Sequence, residues 1–167
     1  SEESIPSEYQ PGRSLQMSEH RDWNSVAVWA SSLFPPAPAS TALQAVAAQL
    51  RKEATPAAQA GAALRWVQDE IRYFSVSVGE NSHRPQAPDT VLKLRYGDCK
   101  DKSYLLVSLL NQLGIRARLV LLNAQAPKAM TKIIASPSWF DHVIVQMQRD
   151  GRDYYVDPTA NGQKLPL

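Results

Sequence analysis

Arg95-Tyr96-Gly97-Asp98-Cys99-Lys100-Asp101-Lys102-Ser103 carries the only cysteine of the 167-residue chain and opens a strongly apolar stretch that reads as a helix. Asp98 is placed as the helix N-cap, with Cys99, Lys100 and Asp101 as the first three helical residues. Asp101 then supplies the reciprocal half of a capping box. A thiol at a helix N-terminus meets free N–H groups and the positive end of the macrodipole, which favour the thiolate. The flanking charges oppose one another: Asp98 and Asp101 disfavour a second anion, while Lys100 and Lys102 favour it. Leu106, Leu109, Leu110 and Leu113 form a wide apolar stripe, so this helix is expected at the centre of the core, ended by Gly114.

On its N-terminal side, three helices are expected. One is capped by Asp22 and ended by Pro35-Pro36; the next starts at Ser40 or Thr41; the third starts with Thr55 as cap and Pro56 at the first helical position. Around Tyr73 the period changes to two, with Phe74, Val76 and Val78 alternating with Tyr73, Ser75 and Ser77. Residues 79–88 read as a polar loop and 89–95 as a short helix broken by Gly97. On the C-terminal side, Ile115 to Asn123 reads as a strand, and 124–138 as an irregular connection with Pro127 and Pro137. Two further strands, His142 to Gln148 and Asp153 to Asp157, flank Asp150-Gly151, a strong two-residue hairpin signal. Helices followed by one helix against an antiparallel sheet make an α+β domain.

That hairpin fixes a register. With Asp150-Gly151 as the turn, Arg149 pairs with Arg152, Ile144 faces Asp157 and His142 faces Thr159. His142 and Asp157 are then same-face diagonal neighbours, roughly 7 Å apart at Cα and within side-chain reach. One cysteine at a helix start with a distant His and Asp is the pattern of a nucleophile, its base and the group that orients the base. Cys99, His142 and Asp157 are therefore the candidate catalytic residues, with the Cys99 N–H as oxyanion donor. Asn81 and Gln86, in the loop before the nucleophile, are both candidates for a second donor. Trp139-Phe140 either walls a substrate groove or packs at the strand start. His83 reads as a solvated loop residue, and His20 as part of the leader with no chemical role.

Bulk properties exclude several classes. Hydrophobic residues make up 44% and charged ones 20%, ordinary for a globular domain. A net charge of +2 without any run of five basic residues gives no footprint for nucleic acid. No stretch has the ~18 apolar residues of a membrane span. Three histidines and one cysteine lack metal-site spacing, and neither a cofactor nor a metal is expected. A lone thiol suits a reducing or an oxidising compartment. Residues 1–20 are polar and serine-rich and are expected to be an extended leader or the end of a preceding domain; 21–167 are expected to form the catalytic domain.

Gly97-Asp98-Cys99-Lys100-Asp101-Lys102, then Asp141-His142-Val143, then Asp157-Pro158-Thr159, resembles the transglutaminase-like superfamily. The resemblance runs from about Trp66 to Asn161, with Cys, His and Asp in the same order and compact spacing, as in bacterial members. It implies a papain-like α+β core and the Cys99, His142, Asp157 triad. The activities it implies are amide transfer between glutamine and an amine, deamidation, or peptide and amide hydrolysis; some members are inactive. The expected partners are a protein or peptide amide donor and, for transfer, an amine acceptor; a non-catalytic peptide-binding module is the alternative. Lys100 departs from animal transglutaminases, which carry tryptophan after the cysteine. With no calcium-type acidic loop, calcium dependence is not carried over. Bacterial relatives often follow a β-rich domain, and a bacterial extracytoplasmic setting, periplasmic or secreted, is expected.

Overall fold

Local capping dictates where the helices begin. The structure, a computed structural model, describes residues 15–75, 82–125 and 133–162. Asp22 accepts from the Ser25 N–H at 2.8 Å and opens α1 (Trp23–Leu33). Ser40 caps α2 (Thr41–Leu50) through the Leu43 N–H, and Thr55 caps α3 (Pro56–Glu70) through the Ala58 N–H. Each of these is the cap the sequence offers. A two-residue strand β1 (Arg72–Tyr73) follows α3, then α4 (Pro88–Leu94), a two-residue strand β2 (Tyr96–Gly97) and α5 (Cys99–Gln112). The chain then enters β3 (Ala117–Leu122), β4 (His142–Arg149) and β5 (Arg152–Val156).

β3, β4 and β5 form an antiparallel sheet in that order, and β1 pairs with β2 in parallel. The hairpin register is the expected one: Arg149 pairs with Arg152 and Val145 with Val156 around Asp150-Gly151, both with positive φ. Two expectations need correction. The β4–β5 ladder stops at Val145–Val156, so Thr159 lies in a turn and His142 pairs instead with Leu122 of β3. The break after α4 is made by Arg95, which adopts a left-handed conformation (φ 59°), and Gly97 has a different task. The expected strand from Tyr73 is described only as far as Ser75; Val76, Ser77 and Val78 lie outside the described residues.

The core forms around α5. Leu105, Leu106, Leu109 and Leu110 are fully buried and pack with Leu64, Val67 and Ile71 of α3 and its end, and with Val145 of β4. Burying each such side chain contributes about 1.5–3 kcal/mol. In the middle of this layer lies Lys102, 1% exposed. Its Nζ donates to the Ile71 carbonyl at 2.6 Å and lies 3.5 Å from the Gln68 carbonyl, so it satisfies the last turn of α3. A cation at a helix C-terminus is favoured by the macrodipole. Burial pushes its pKa down, against the pull of Asp157 and Asp69. Lys102→Met keeps the volume but leaves those carbonyls without their donor, and urea unfolding is expected to show a loss of about 1–3 kcal/mol. An unchanged midpoint would contradict this role for the ammonium group.

Candidate active site

The first turn of α5 is over-determined by hydrogen bonds. Asp98 Oδ1 accepts from the Lys100 N–H at 3.1 Å and the Asp101 N–H at 3.3 Å. Asp101 Oδ2 accepts from the Asp98 N–H at 3.2 Å, which completes the capping box. Both oxygens of Asp101 also receive Gln86, its backbone N–H at 2.7 Å and its Nε2 at 3.3 Å, so the preceding loop is tied to the helix start. Burial pushes the Asp101 carboxyl up, with the Gln86 and Asp98 N–H groups acting against it. A Cβ on Gly97 would lie 2.6 Å from Asp101 Cβ, so the glycine is required by close approach. The two lysines that could have faced the thiol are engaged elsewhere: Lys100 is bonded to Asp98 Oδ2, and Lys102 to α3.

Cys99 thus stands half-buried at the first helical position. One turn on, Ser103 Oγ donates to the Val143 carbonyl at 2.9 Å, pinning α5 to β4 beside His142. The sequence signal for this contact is a hydroxyl one helical turn beyond Cys99.

His142 Nε2 donates to Asp157 Oδ2 at 2.7 Å, and Cys99 lines the same cleft, close enough for its sulfur to act on the ring. Asp157 Oδ1 accepts from the Thr159 N–H at 2.8 Å and Oγ1 at 2.7 Å. Buried Gln68 of α3 donates to the Ala160 carbonyl at 2.8 Å and reaches the Asp157 carbonyl at 3.3 Å, fixing the turn that carries the aspartate. The bonds from Asp157 and Cys99 push the His142 pKa up to about 10 against the opposing effect of burial. Burial pushes Asp157 up, but the bonds from His142 and Thr159 outweigh it and hold the carboxyl below its ordinary value. His142 and Asp157 therefore meet, as the hairpin predicts for that pair, and Cys99 lines the same cleft.

Around them lies a cleft of about 120 Å³. Tyr73, His83 and Phe140 line it, and so do Trp29 and Leu33 of α1 and Phe34 just beyond its end. Burial, with the charges of Cys99 and Asp98, pushes the Tyr73 pKa up. Of the two loop donors expected, Asn81 lies outside the described residues, and Gln86 is turned onto Asp101 and does not line the cleft. Phe140 walls the cleft, whereas Trp139 packs away from it, its indole N–H buried without a partner among the described residues. His83 is exposed as read, but it also edges the cleft and packs its ring on Trp29 at 5.4 Å. His20 meets the same indole at 6.0 Å. Among the described residues no group of three or more His, Cys, Asp or Glu is placed to hold a metal ion.

A family model described as the transglutaminase-like superfamily matches residues 44–158. A protein of Parabacteroides distasonis ATCC 8503, named a candidate protease, superposes with a TM-score of 0.69 at 13% identity, over 83% of this chain and 27% of its own. A candidate cysteine protease of Cytophaga hutchinsonii gives a TM-score of 0.52 at 18% identity, over 77% and 41%. The periplasmic domain of TgpA from Pseudomonas aeruginosa gives 0.48 at 21% identity, over 76% and 45%. This chain thus spans less than half the length of each of these structures, and at such identities the likeness concerns the fold. No curated protein matches.

The electrostatics make a direct prediction. A ring with its pKa raised to about 10 is still an imidazolium at pH 8, so the His142 ¹⁵N shifts are expected to titrate with a midpoint far above 6.5. The associated stabilisation is complete below the ordinary histidine pKa and is lost as pH rises through about 10. The Asp157 contribution is present above the ordinary carboxylate range and is lost as pH falls through its lowered pKa. A midpoint near 6.5 would show that the ring is not held between carboxylate and sulfur.

Proposed function

Because the chain belongs to the transglutaminase-like superfamily, we propose that it is a thiol-dependent enzyme that breaks an amide bond by acyl transfer to Cys99. The observation that carries this reading is the His142–Asp157 bond at the cleft that Cys99 also lines, with the sulfur near enough to raise the ring's pKa. Cys99 is the nucleophile, His142 the acid and base, and Asp157 the group that fixes the ring.

In the first half-reaction the thiolate attacks the carbonyl carbon. A C–S bond forms, and the carbonyl π electrons move onto oxygen. The Cys99 N–H at the open start of α5 has no intrahelical acceptor and is aimed at that oxyanion. Tyr73, which lines the same cleft while Gln86 does not, is assigned here as the second donor. Collapse breaks the C–N bond, and His142 Nδ1 gives its proton to the departing amine. In the second half, water or a primary amine loses a proton to His142, attacks the thioester carbon and expels the thiolate. The substrate is an amide of a protein or peptide, with a primary amine as acceptor in the transfer reaction and water in the hydrolytic one. The extracytoplasmic setting expected from the sequence is retained in this proposal. No helix among the described residues is long and apolar enough to cross a membrane.

The test offers glutamine-containing and unmodified peptides with a primary amine and follows them by mass spectrometry. Expected is amine incorporation, deamidation or cleavage, falling at least about a thousandfold in Cys99→Ala. Tyr73→Phe is expected to lower kcat by about 10²-fold with little change in KM. Turnover surviving in Cys99→Ala would exclude the thiol route, and a correctly folded protein without any acyl adduct on Cys99 would favour the binding module.

A further inference from the structure

The cleft at Cys99 is too small to account for the apolar surface beside it. Under α1 lies a second, larger cavity of about 590 Å³, floored by α5 and β3 and roofed by α1 and residues 35–39. Ala27 and Ala30 of α1 face Tyr104, Val107 and Leu119 across it, and the walls are predominantly apolar. Its size is that of a ligand pocket rather than of a packing defect. Phe34 and Leu121 line both this cavity and the catalytic cleft, so the two spaces share a wall. Phe34 is held there by its edge-on contact with the Tyr104 ring at 5.7 Å, and Tyr104 by its bond to the Pro35 carbonyl. The rim is open: Ala27, Ser31 and Arg118 are exposed.

We propose that this cavity is a specificity subsite that takes an aliphatic or aromatic side chain of a peptide substrate, two or three residues from the reacting amide. The proposal rests on the acyl-transfer reading and adds the substrate class to it. Spacing supports the register. Tyr104 lies five residues beyond Cys99 on α5, roughly 8 Å along the axis. An extended peptide advances about 3.3 Å per residue, so its second or third residue reaches that depth. Chemistry supports the class. No ionised side chain faces the inner part of the cavity, and Arg118 at the rim is bonded to Gln146. A charged or strongly polar substrate residue would be desolvated there without a partner. The roof comes from α1, which lies outside the residues matched by the family model.

Tripeptidyl chloromethyl ketones test this without requiring turnover. The Cys99 thiolate forms a C–S bond to the ketone methylene as the C–Cl bond breaks and chloride leaves, and intact mass reports the rate. Phe or Leu at the second or third residue is expected to speed alkylation at least tenfold over Gly at that position. Ala27→Trp and, separately, Ser31→Trp place an indole in the cavity from exposed helix positions; each is expected to abolish that preference. Iodoacetamide, which needs no subsite, should label wild type and both variants at one rate. Equal ketone rates in the wild type, or a preference that survives both filled variants, would overturn the subsite while leaving the nucleophile intact. If iodoacetamide and every ketone fail to label Cys99, the acyl-transfer reading itself falls, and the subsite with it.

Discussion

The position of one sulfur depends on how α5 begins. Asp98 and Asp101 close a reciprocal pair of bonds around the helix start, Gln86 docks the preceding loop onto the same carboxylate, and Gly97 leaves the room that this approach needs. A capping residue is ordinarily worth about 1 kcal/mol. Here the cap also decides the direction in which the first N–H groups and the Cys99 side chain point. Two buried carboxylates next to a thiol would raise the local negative potential if left bare. Asp98 is instead matched by Lys100 and by two N–H groups, and Asp101 by three donors from two segments.

From that start the remaining site follows by rigid connection. Ser103 joins α5 to β4 at the Val143 carbonyl, and the β4–β5 register brings the chain to Asp157 beside His142. α3 closes the frame from behind: its carbonyls accept Lys102, and its Gln68 holds the turn of Asp157. The ring of His142 is thus oriented by groups on three elements that all contact α5 or the sheet. Such support by surrounding bonds is what keeps a catalytic geometry within a fraction of an ångström.

Much of this was legible because it is local. Asp22, Ser40, Thr55 and Asp98 each precede an apolar stretch of helical period, and each caps its helix. Asp150-Gly151 fixes a register by turn geometry alone, so the meeting of His142 with Asp157 could be drawn before any coordinates. What escaped is non-local. The β1–β2 pair has two residues in each strand and no pattern long enough to read. Lys102 is a charged residue that reads as solvated until α3 is seen to present its carbonyls. Nothing in the sequence of α1 says that Trp23 packs on Phe140 or that Trp29, Leu33 and Phe34 reach the cleft; those partners are distant in sequence. The ladder stopped short at Val156 because Pro158 cannot donate a backbone bond and Thr159 turns back onto the Asp157 carboxylate.

On the proposed acyl-transfer reading, the His142 imidazole controls the reactivity of the Cys99 sulfur. That control is tested most directly by the second-order rate of iodoacetamide labelling at pH 6 in wild type and in His142→Ala, with circular dichroism showing that both are folded. An imidazolium that stabilises the thiolate predicts labelling at least tenfold slower in the variant. Equal rates in the two proteins would mean that the ring and the sulfur are neighbours without chemical coupling, and would contradict the account.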